Sequence, residues 1–232
     1  MNTAQPVLVS LNAGKEEPLE DSGFLSAINK KKLNEPALVT KLGLKSDVQS
    51  DKRFHGGIDK AIHQYAYENY TFWENILPDT TRLKQMAAFG ENITSVGMTE
   101  DTVMIGDQYR LGGCILEVSQ ARQPCWKLNY RFKYPTMAEE VQNSLKTGWY
   151  YRVLEEGQVQ EGDKFVLLER PYPEISLTYL LHILYKDCLN KEALYEFLKI
   201  NILAESWKNT LTKRLETGEV EDWKRRLYLQ NK

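Results

Sequence analysis

The 232-residue chain contains little cysteine and little histidine, with three residues of each. An odd and sparse set of cysteines argues against a disulfide framework and favours a reducing compartment, so we expect a cytoplasmic protein. No two cysteines form a CxxC pair, which leaves a structural zinc site without local support. The sequence also lacks a P-loop and a GxGxxG motif, and so carries neither of these phosphate-binding fingerprints.

A strong charge of one sign and long apolar runs are also missing. The net charge of −2 gives no electrostatic indication of a nucleic-acid partner or an anionic membrane surface. No apolar run approaches the roughly 18–20 residues that span a bilayer, and the N-terminus lacks the basic start of a signal peptide. We therefore expect neither a nucleic acid nor a membrane as a partner. The 42% of hydrophobic residues supply ample material for a folded core.

Short apolar runs separated by Gly, Asn and Asp dominate the first 170 residues and predict strands. Frequent short strands of this kind are typical of a barrel or a sandwich. Two helices are expected among them, over residues 67–77 and 136–148, and Gly148 is expected to end the second. The predicted strands fall within residues 6–12, 36–44, 89–98, 103–113, 114–120 and 164–170.

The pattern changes after the proline-marked stretch "ERPYPEI" at residues 169–175. Apolar residues recur at helical spacing from Leu177 to Cys188, and the same style continues to about residue 216. We therefore predict a mainly β fold, with a barrel-like domain over residues 1–170 and a small all-α domain over residues 171–232. The role of the helical domain stays open, and covering an exposed barrel edge is the simplest one.

One cysteine lies in an unusual setting, in the stretch "SQARQPCWKLN" at residues 119–129. Pro124 cannot donate a hydrogen bond to a sheet, so the preceding strand should end near Gln120. Cys125 is then expected in a turn at a strand end, where functional residues often lie.

The charged neighbours of this cysteine suggest chemistry. Arg122 and Lys127 would favour its thiolate, which can act as a nucleophile or as a ligand for a soft metal. The alternative is a half-buried Cys125 that packs against Trp126 while the cations face water.

Two further stretches could contact an anion. In "KRFHGGIDKA" at residues 52–61, paired glycines let the backbone approach a ligand, but taken alone the motif favours a tight turn with solvated charges. In "FGENIT" at residues 89–94, Asn92 could bind a ligand or merely cap a turn. A hydrolase built from Cys125 and His55 also stays open.

Four motifs occur in an order that resembles the MOSC-domain family, named for the C-terminal domain of molybdenum cofactor sulfurases. The likeness is to stand-alone bacterial members of the YiiM type and spans about residues 6–170, and the tail resembles the three-helix domain of that subgroup. The motifs are "FHGGIDKAIHQYAYENYTFW", "FGENIT", "IGDQYRLGGCILEVSQARQPCWKLN" and "GWYYRVLEEGQVQEGD".

This resemblance implies a β-barrel-like core and a molybdenum–pterin cofactor (molybdopterin, Moco) whose metal is ligated by the cysteine of "RQPCW", Cys125. Polar side chains and glycine backbone from the other motifs would hold the anionic cofactor. The expected cofactor-binding residues are Arg122, Lys127, His55, Gly56, Gly57, Lys60 and Asn92.

The resemblance also implies an oxidoreductase that reduces N-hydroxylated compounds, including hydroxylaminopurine-type base analogues, as a detoxification reaction. Electrons would come from a separate flavoprotein reductase. Two other functions stay open, a non-catalytic carrier of the molybdenum cofactor and the Cys–His hydrolase. The natural substrate, the identity of the donor and the oligomeric state, including a homodimer, are not defined by the sequence.

Overall fold

The computed structural model describes residues 5–50 and 56–229. The strands of the described residues all lie before residue 170, where short β-branched and aromatic runs alternate with turns. The strands among the described residues are β1 (Val7–Ala13), β2 (Glu17–Pro18), β3 (Leu25–Ser26), β4 (Lys31–Lys32), β5 (Ala37–Thr40), β6 (Gly43–Leu44), β7 (Ile62–Ala66), β8 (Ile93–Val96), β9 (Gln108–Leu111), β10 (Cys114–Ala121), β11 (Trp149–Glu155), β12 (Gly157–Val159) and β13 (Phe165–Glu169).

Helices connect some of these strands and make up the C-terminal part. Two short 3-10 helices lie at Ile58–Lys60 and Thr81–Lys84. The α-helices among the described residues are α1 (Glu68–Glu74), α2 (Lys127–Arg131), α3 (Met137–Ser144), α4 (Leu177–Tyr185), α5 (Lys191–Leu198), α6 (Glu205–Thr217) and α7 (Lys224–Leu227).

Eight strands form the main sheet, in the order β13-β9-β10-β11-β7-β8-β1-β4. Neighbouring strands are antiparallel except for β7 and β8, which run parallel. The sheet curls because the segment that contains β1 also bonds to the chain at the start of β13. The backbone N–H of Leu8 donates to the carbonyl oxygen of Asp163, and the backbone N–H of Phe165 donates to the carbonyl oxygen of Pro6. This curl confirms the prediction of a barrel-like β core.

The expected elements are largely present, with one correction. Helix α3 was expected to end at Gly148, but it ends earlier, where Leu145 adopts a left-handed conformation with φ of 60°. Gly148 instead leads into β11, and a Cβ there would lie 2.4 Å from the carbonyl oxygen of Gln64. The glycine is therefore explained by close approach of two backbones and not by helix termination.

The C-terminal helices pack directly on the barrel. Leu177 and Leu181 of α4 and Trp207 of α6 belong to the same buried cluster as barrel residues such as Leu116 and Val118. This arrangement confirms a helical C-terminal part attached to a β core. The boundary between residues 170 and 171 stays a prediction, and it falls between the end of β13 and the start of α4.

Helix length and hydropathy also bear on membranes. Within residues 5–50 and 56–229, no helix is both long and apolar enough to cross a bilayer.

Candidate functional site

A cleft opens where the ends of β7, β8 and β10 meet the loops that precede β4 and β7. Five of the residues singled out from the sequence line it together, although they come from distant parts of the chain. These residues are Lys60, Asn92, Arg122, Cys125 and Lys127.

Cys125 lies in the loop between β10 and α2, as the position of Pro124 predicts. Its residue is 8% exposed, so the sulfur is close to the cleft surface but largely covered. All three cysteines are described by the structure, and none forms a disulfide. Burial raises the pKa of Cys114 to about 12 and also raises the pKa of Cys188. Those two thiols are therefore poorly suited to form thiolates at neutral pH.

Arg122 brings a buried positive charge to the same cleft. The residue is only 5% exposed, and its backbone N–H is held by the carbonyl of Gly148 at 2.9 Å. Its Nη1 atom is buried and has no hydrogen-bond partner among the described residues. Because a guanidinium has several N–H donors that need acceptors, this atom suits an anionic ligand that enters the cleft.

Positive charge dominates the cleft lining. Lys30, Lys60, Arg122 and Lys127 contribute four cations, whereas Asp47 is the only carboxylate among the described residues that line it. Burial lowers the pKa of both Lys30 and Lys60, which reflects the energetic penalty of holding charge there. An anion in the cleft would offset that penalty.

Lys30 and Asp47 form a buried ion pair that the sequence did not reveal. Their closest N–O distance is 2.5 Å, and their side chains are 7% and 6% exposed. Asp47 also accepts hydrogen bonds from the backbone of Gly14 at 2.7 Å and from Asn92 Nδ2 at 2.8 Å. The side-chain oxygen of Asn92 accepts from the backbone N–H of His63. Asn92 therefore organises the cleft wall through protein contacts, and a direct contact of Asn92 with a ligand stays a prediction.

His63 and Tyr150 also line the cleft, and sequence reasoning missed both. Their rings pack with centroids 5.0 Å apart. Burial and the nearby Arg122 charge hold the pKa of His63 well below its usual range, so the imidazole is neutral at pH 7. The alternation in "GWYYRVLEEG" could have identified Tyr150, because Trp149 and Tyr151 point into the core and Tyr150 points the other way.

The histidine–glycine motif is only partly described. His55 lies outside the described residues, so its predicted role and its pairing with Cys125 stay predictions. Gly56 and Gly57 do not belong to the described lining of the cleft. Gly57 has φ of 97° and precedes the 3-10 helix that carries Lys60 into the cleft. The glycine turn thus positions Lys60, and a direct contact of the glycines with a ligand stays a prediction.

A metal held by several protein side chains is not evident. Within the described part of the chain, no group of three or more His, Cys, Asp or Glu residues could hold a metal ion. What the cleft offers is one cysteine beside several cations and a neutral imidazole.

Comparison with known families identifies the class to which this fold and cleft belong. Residues 51–166 match the model of the MOSC domain, and the chain therefore belongs to the MOSC-domain family. Residues 175–218 match the model described as "YiiM-like, 3-alpha helix domain", which makes the chain a YiiM-type member of that family.

Individual relatives agree with this classification. Protein YiiM of Escherichia coli is 36% identical over 206 residues, covering 89% of this chain and 92% of that protein. A protein of Gibberella moniliformis named "Reductase" is 38% identical over 173 residues, covering 74% of this chain but 31% of that protein. The crystal structure of YiiM from Geobacillus stearothermophilus superposes with a TM-score of 0.77 at 35% identity, covering 90% of this chain and 99% of that one.

Proposed function

We propose that the chain binds a molybdenum–pterin cofactor in the Cys125 cleft and reduces N-hydroxylated compounds. The observation that carries the proposal is that one cationic cleft holds both the Cys125 thiol and the buried Nη1 of Arg122, which has no hydrogen-bond partner among the described residues. A soft metal accepts a thiolate ligand, and a phosphate-bearing pterin is an anion that needs such donors. MOSC domains are associated with this cofactor, which supports the same choice.

Different residues of the cleft would hold different parts of the cofactor. Cys125 would supply a thiolate to the metal, and Arg122, Lys60 and Lys127 would hold the anionic part of the cofactor. The Lys30–Asp47 pair would keep the cleft wall in place. Since one cysteine provides one ligand, the remaining metal ligands would come from the cofactor and solvent.

When bound, the cofactor supplies two-electron redox chemistry. The proposed net reaction is R–NHOH plus two electrons and two protons giving R–NH2 and water, so the N–O bond is broken and the nitrogen is reduced. The fungal protein named "Reductase" supports an oxidoreductase role, and most of its length lies outside the match to this chain. We propose that electrons reach this chain from a separate flavoprotein reductase.

We also propose a cytoplasmic location and a small-molecule substrate such as a hydroxylaminopurine-type base. The location rests on three cysteines that form no disulfide, as is usual in a reducing compartment.

Turnover with an artificial electron donor tests the function. Protein produced in cofactor-competent cells should reduce 6-hydroxylaminopurine to adenine when reduced methyl viologen is supplied, and Cys125→Ser should not. Cys188→Ser is the matched control, because this thiol lies in the helical part, outside the described lining of the cleft. Bound molybdenum without turnover would favour the carrier function instead. Ester hydrolysis that needs Cys125 but no molybdenum would favour the hydrolase.

A further inference from the structure

The loop that carries Cys125 is fastened by the far end of the chain. Arg226 of α7 accepts a hydrogen bond from the backbone N–H of Trp126 through its own carbonyl oxygen, at 2.8 Å. Its guanidinium donates to the carbonyl oxygen of Pro124 through Nη1 and to Gln142 Oε1 through Nη2. Arg226 therefore contacts the residues on both sides of Cys125, although it lies about a hundred residues further along the chain.

Further contacts hold the same two segments together. Asn129 Nδ2 in α2 donates to the carbonyl oxygen of Leu227 at 2.9 Å. The hydroxyl of Tyr228 donates to Glu139 of α3. The Leu227 side chain is 5% exposed and belongs to a buried cluster that includes Leu128 of α2. Hydrogen bonds and apolar packing thus act on the same short segment.

The guanidinium of Arg226 is itself held in place by the helical part of the protein. It lies over the ring of Tyr185, with 5.6 Å between the guanidinium carbon and the ring centroid. That ring also packs edge-on against Trp223, with centroids 5.6 Å apart. We define residues 223–228 as the clamp. The clamp packs against Tyr185 at the end of α4.

Among the residues that the structure describes, Arg122 makes the last backbone hydrogen bond between this loop and the main sheet. Strand β10 ends at Ala121, and the backbone N–H of Arg122 makes the next bond to the sheet, through Gly148. Pro124 has no N–H to donate, and its carbonyl oxygen is used by Arg226. The clamp therefore holds the backbone on both sides of Cys125, at Pro124 and at Trp126.

We propose that Arg226 is a positioning residue for Cys125, and that the clamp makes the helical domain part of the functional site. The inference rests on the proposed function only where it assigns metal ligation to Cys125. It gives the YiiM-type helical domain a specific task, which is to hold the cysteine loop in the cleft.

Thiol alkylation in cofactor-free, full-length protein tests the clamp. The rate at which iodoacetamide modifies each cysteine is followed by peptide mass spectrometry in the wild type and in Arg226→Ala, Arg226→Lys and Arg225→Ala. Loss of the hydrogen bonds that hold the loop should raise the Cys125 rate about tenfold in Arg226→Ala, because the loop opens more often. Arg226→Lys should restore part of the protection of Cys125. Lysine keeps the positive charge, but its ammonium does not reproduce the two divergent N–H donors with which the guanidinium reaches Pro124 and Gln142.

Arg225 supplies the matched control, since it is the exposed neighbour of Arg226 in the same helix. Arg225→Ala should leave the Cys125 rate within twofold of the wild type. Cys114, buried in the barrel core, reports on general loosening, and its rate should stay within twofold in every variant. An unchanged Cys125 rate in Arg226→Ala, or a parallel rise at Cys114, would overturn the proposal.

The two proposals fail in different ways. If Cys125→Ser retains turnover while Arg226→Ala exposes Cys125, the function is wrong and the clamp stands. If Cys125→Ser loses turnover while the alkylation rates are unchanged, the clamp is wrong and the function stands.

Discussion

Arg122 and Cys125 line the same cleft, and a buried guanidinium nitrogen of Arg122 has no hydrogen-bond partner among the described residues. A buried donor that lacks a partner costs free energy, and a bound anion would recover it. Within one cleft, Cys125 offers a sulfur ligand for a soft metal and Arg122 offers a cation for an anionic group. The predictions below separate these contributions.

Arg122→Ala should lower the molybdenum and pterin content of the purified protein without changing its far-UV circular dichroism. Arg122→Lys should restore the content only partly, because a single ammonium does not reproduce two parallel hydrogen bonds. Arg110, an exposed arginine on β9, provides the control, and Arg110→Ala should keep full content. Full molybdenum content in Arg122→Ala would remove Arg122 from the binding site.

The three cysteines should differ in their effect on turnover. Cys125→Ser should abolish reduction of the N-hydroxylated substrate, because a hydroxyl is a harder and far less acidic ligand than a thiol. Cys114→Ser and Cys188→Ser should keep the activity per folded molecule, and each should lower the free energy of unfolding by about 1–3 kcal/mol. Activity assays and urea unfolding of the same samples measure both quantities. A turnover defect in Cys114→Ser that exceeds its loss of folded protein would contradict this division.

The Lys30–Asp47 pair should be worth more to stability than an exposed ion pair. Asp47→Ala should lower the free energy of unfolding by about 3–5 kcal/mol, because it leaves Lys30 as an uncompensated buried charge. The double variant Lys30→Met/Asp47→Ala should be less destabilised than Asp47→Ala alone, since neither position then holds an uncompensated charge. Urea unfolding at neutral pH measures the difference. The single variant Lys30→Met completes the comparison. If the loss of stability in the double variant equals the sum of the losses in Lys30→Met and Asp47→Ala, the two charges are not coupled.

His63 should make stability depend on pH below neutrality. Its folded-state pKa is lowered by burial, so the unfolded state binds a proton as pH falls below about 6.5 while the folded state does not. Stability should therefore fall with decreasing pH below about 6.5, and it should fall more steeply in the wild type than in His63→Phe. Buried Glu91 and Glu100 are present in both proteins, so their contributions cancel in the comparison. Identical pH profiles for the two proteins would mean that His63 is not held neutral.

The β core and the position of Cys125 were predictable because both depend on local patterns. Turn residues separate the strands, and Pro124 has no N–H for a sheet, which places the cysteine just beyond β10. Lys30 and Asp47 were not predictable, because their pairing depends on how two loops without regular structure meet in space. His63 was hidden because β7 is buried on both faces and shows no alternation.

The contacts of residues 223–228 with the Cys125 loop were not predictable from the sequence either. Residues 223–228 carry no helical periodicity long enough to stand out, and α7 spans only Lys224–Leu227. Their contacts are made across about a hundred residues of intervening chain, mostly through backbone carbonyl oxygens that have no sequence signature. For the same reason Gly148 was assigned to a helix end, whereas close backbone approach to Gln64 is what requires a glycine there.

The most direct test of the central claim is the molybdenum and pterin content of the protein, purified from cells that make the cofactor. Elemental analysis gives molybdenum per chain, and fluorescence after denaturation gives pterin. The account predicts both at close to one per chain in the wild type, and a marked loss of molybdenum in Cys125→Ser with Cys188→Ser unchanged. Wild-type protein that contains neither molybdenum nor pterin, or Cys125→Ser that retains full molybdenum, would contradict it.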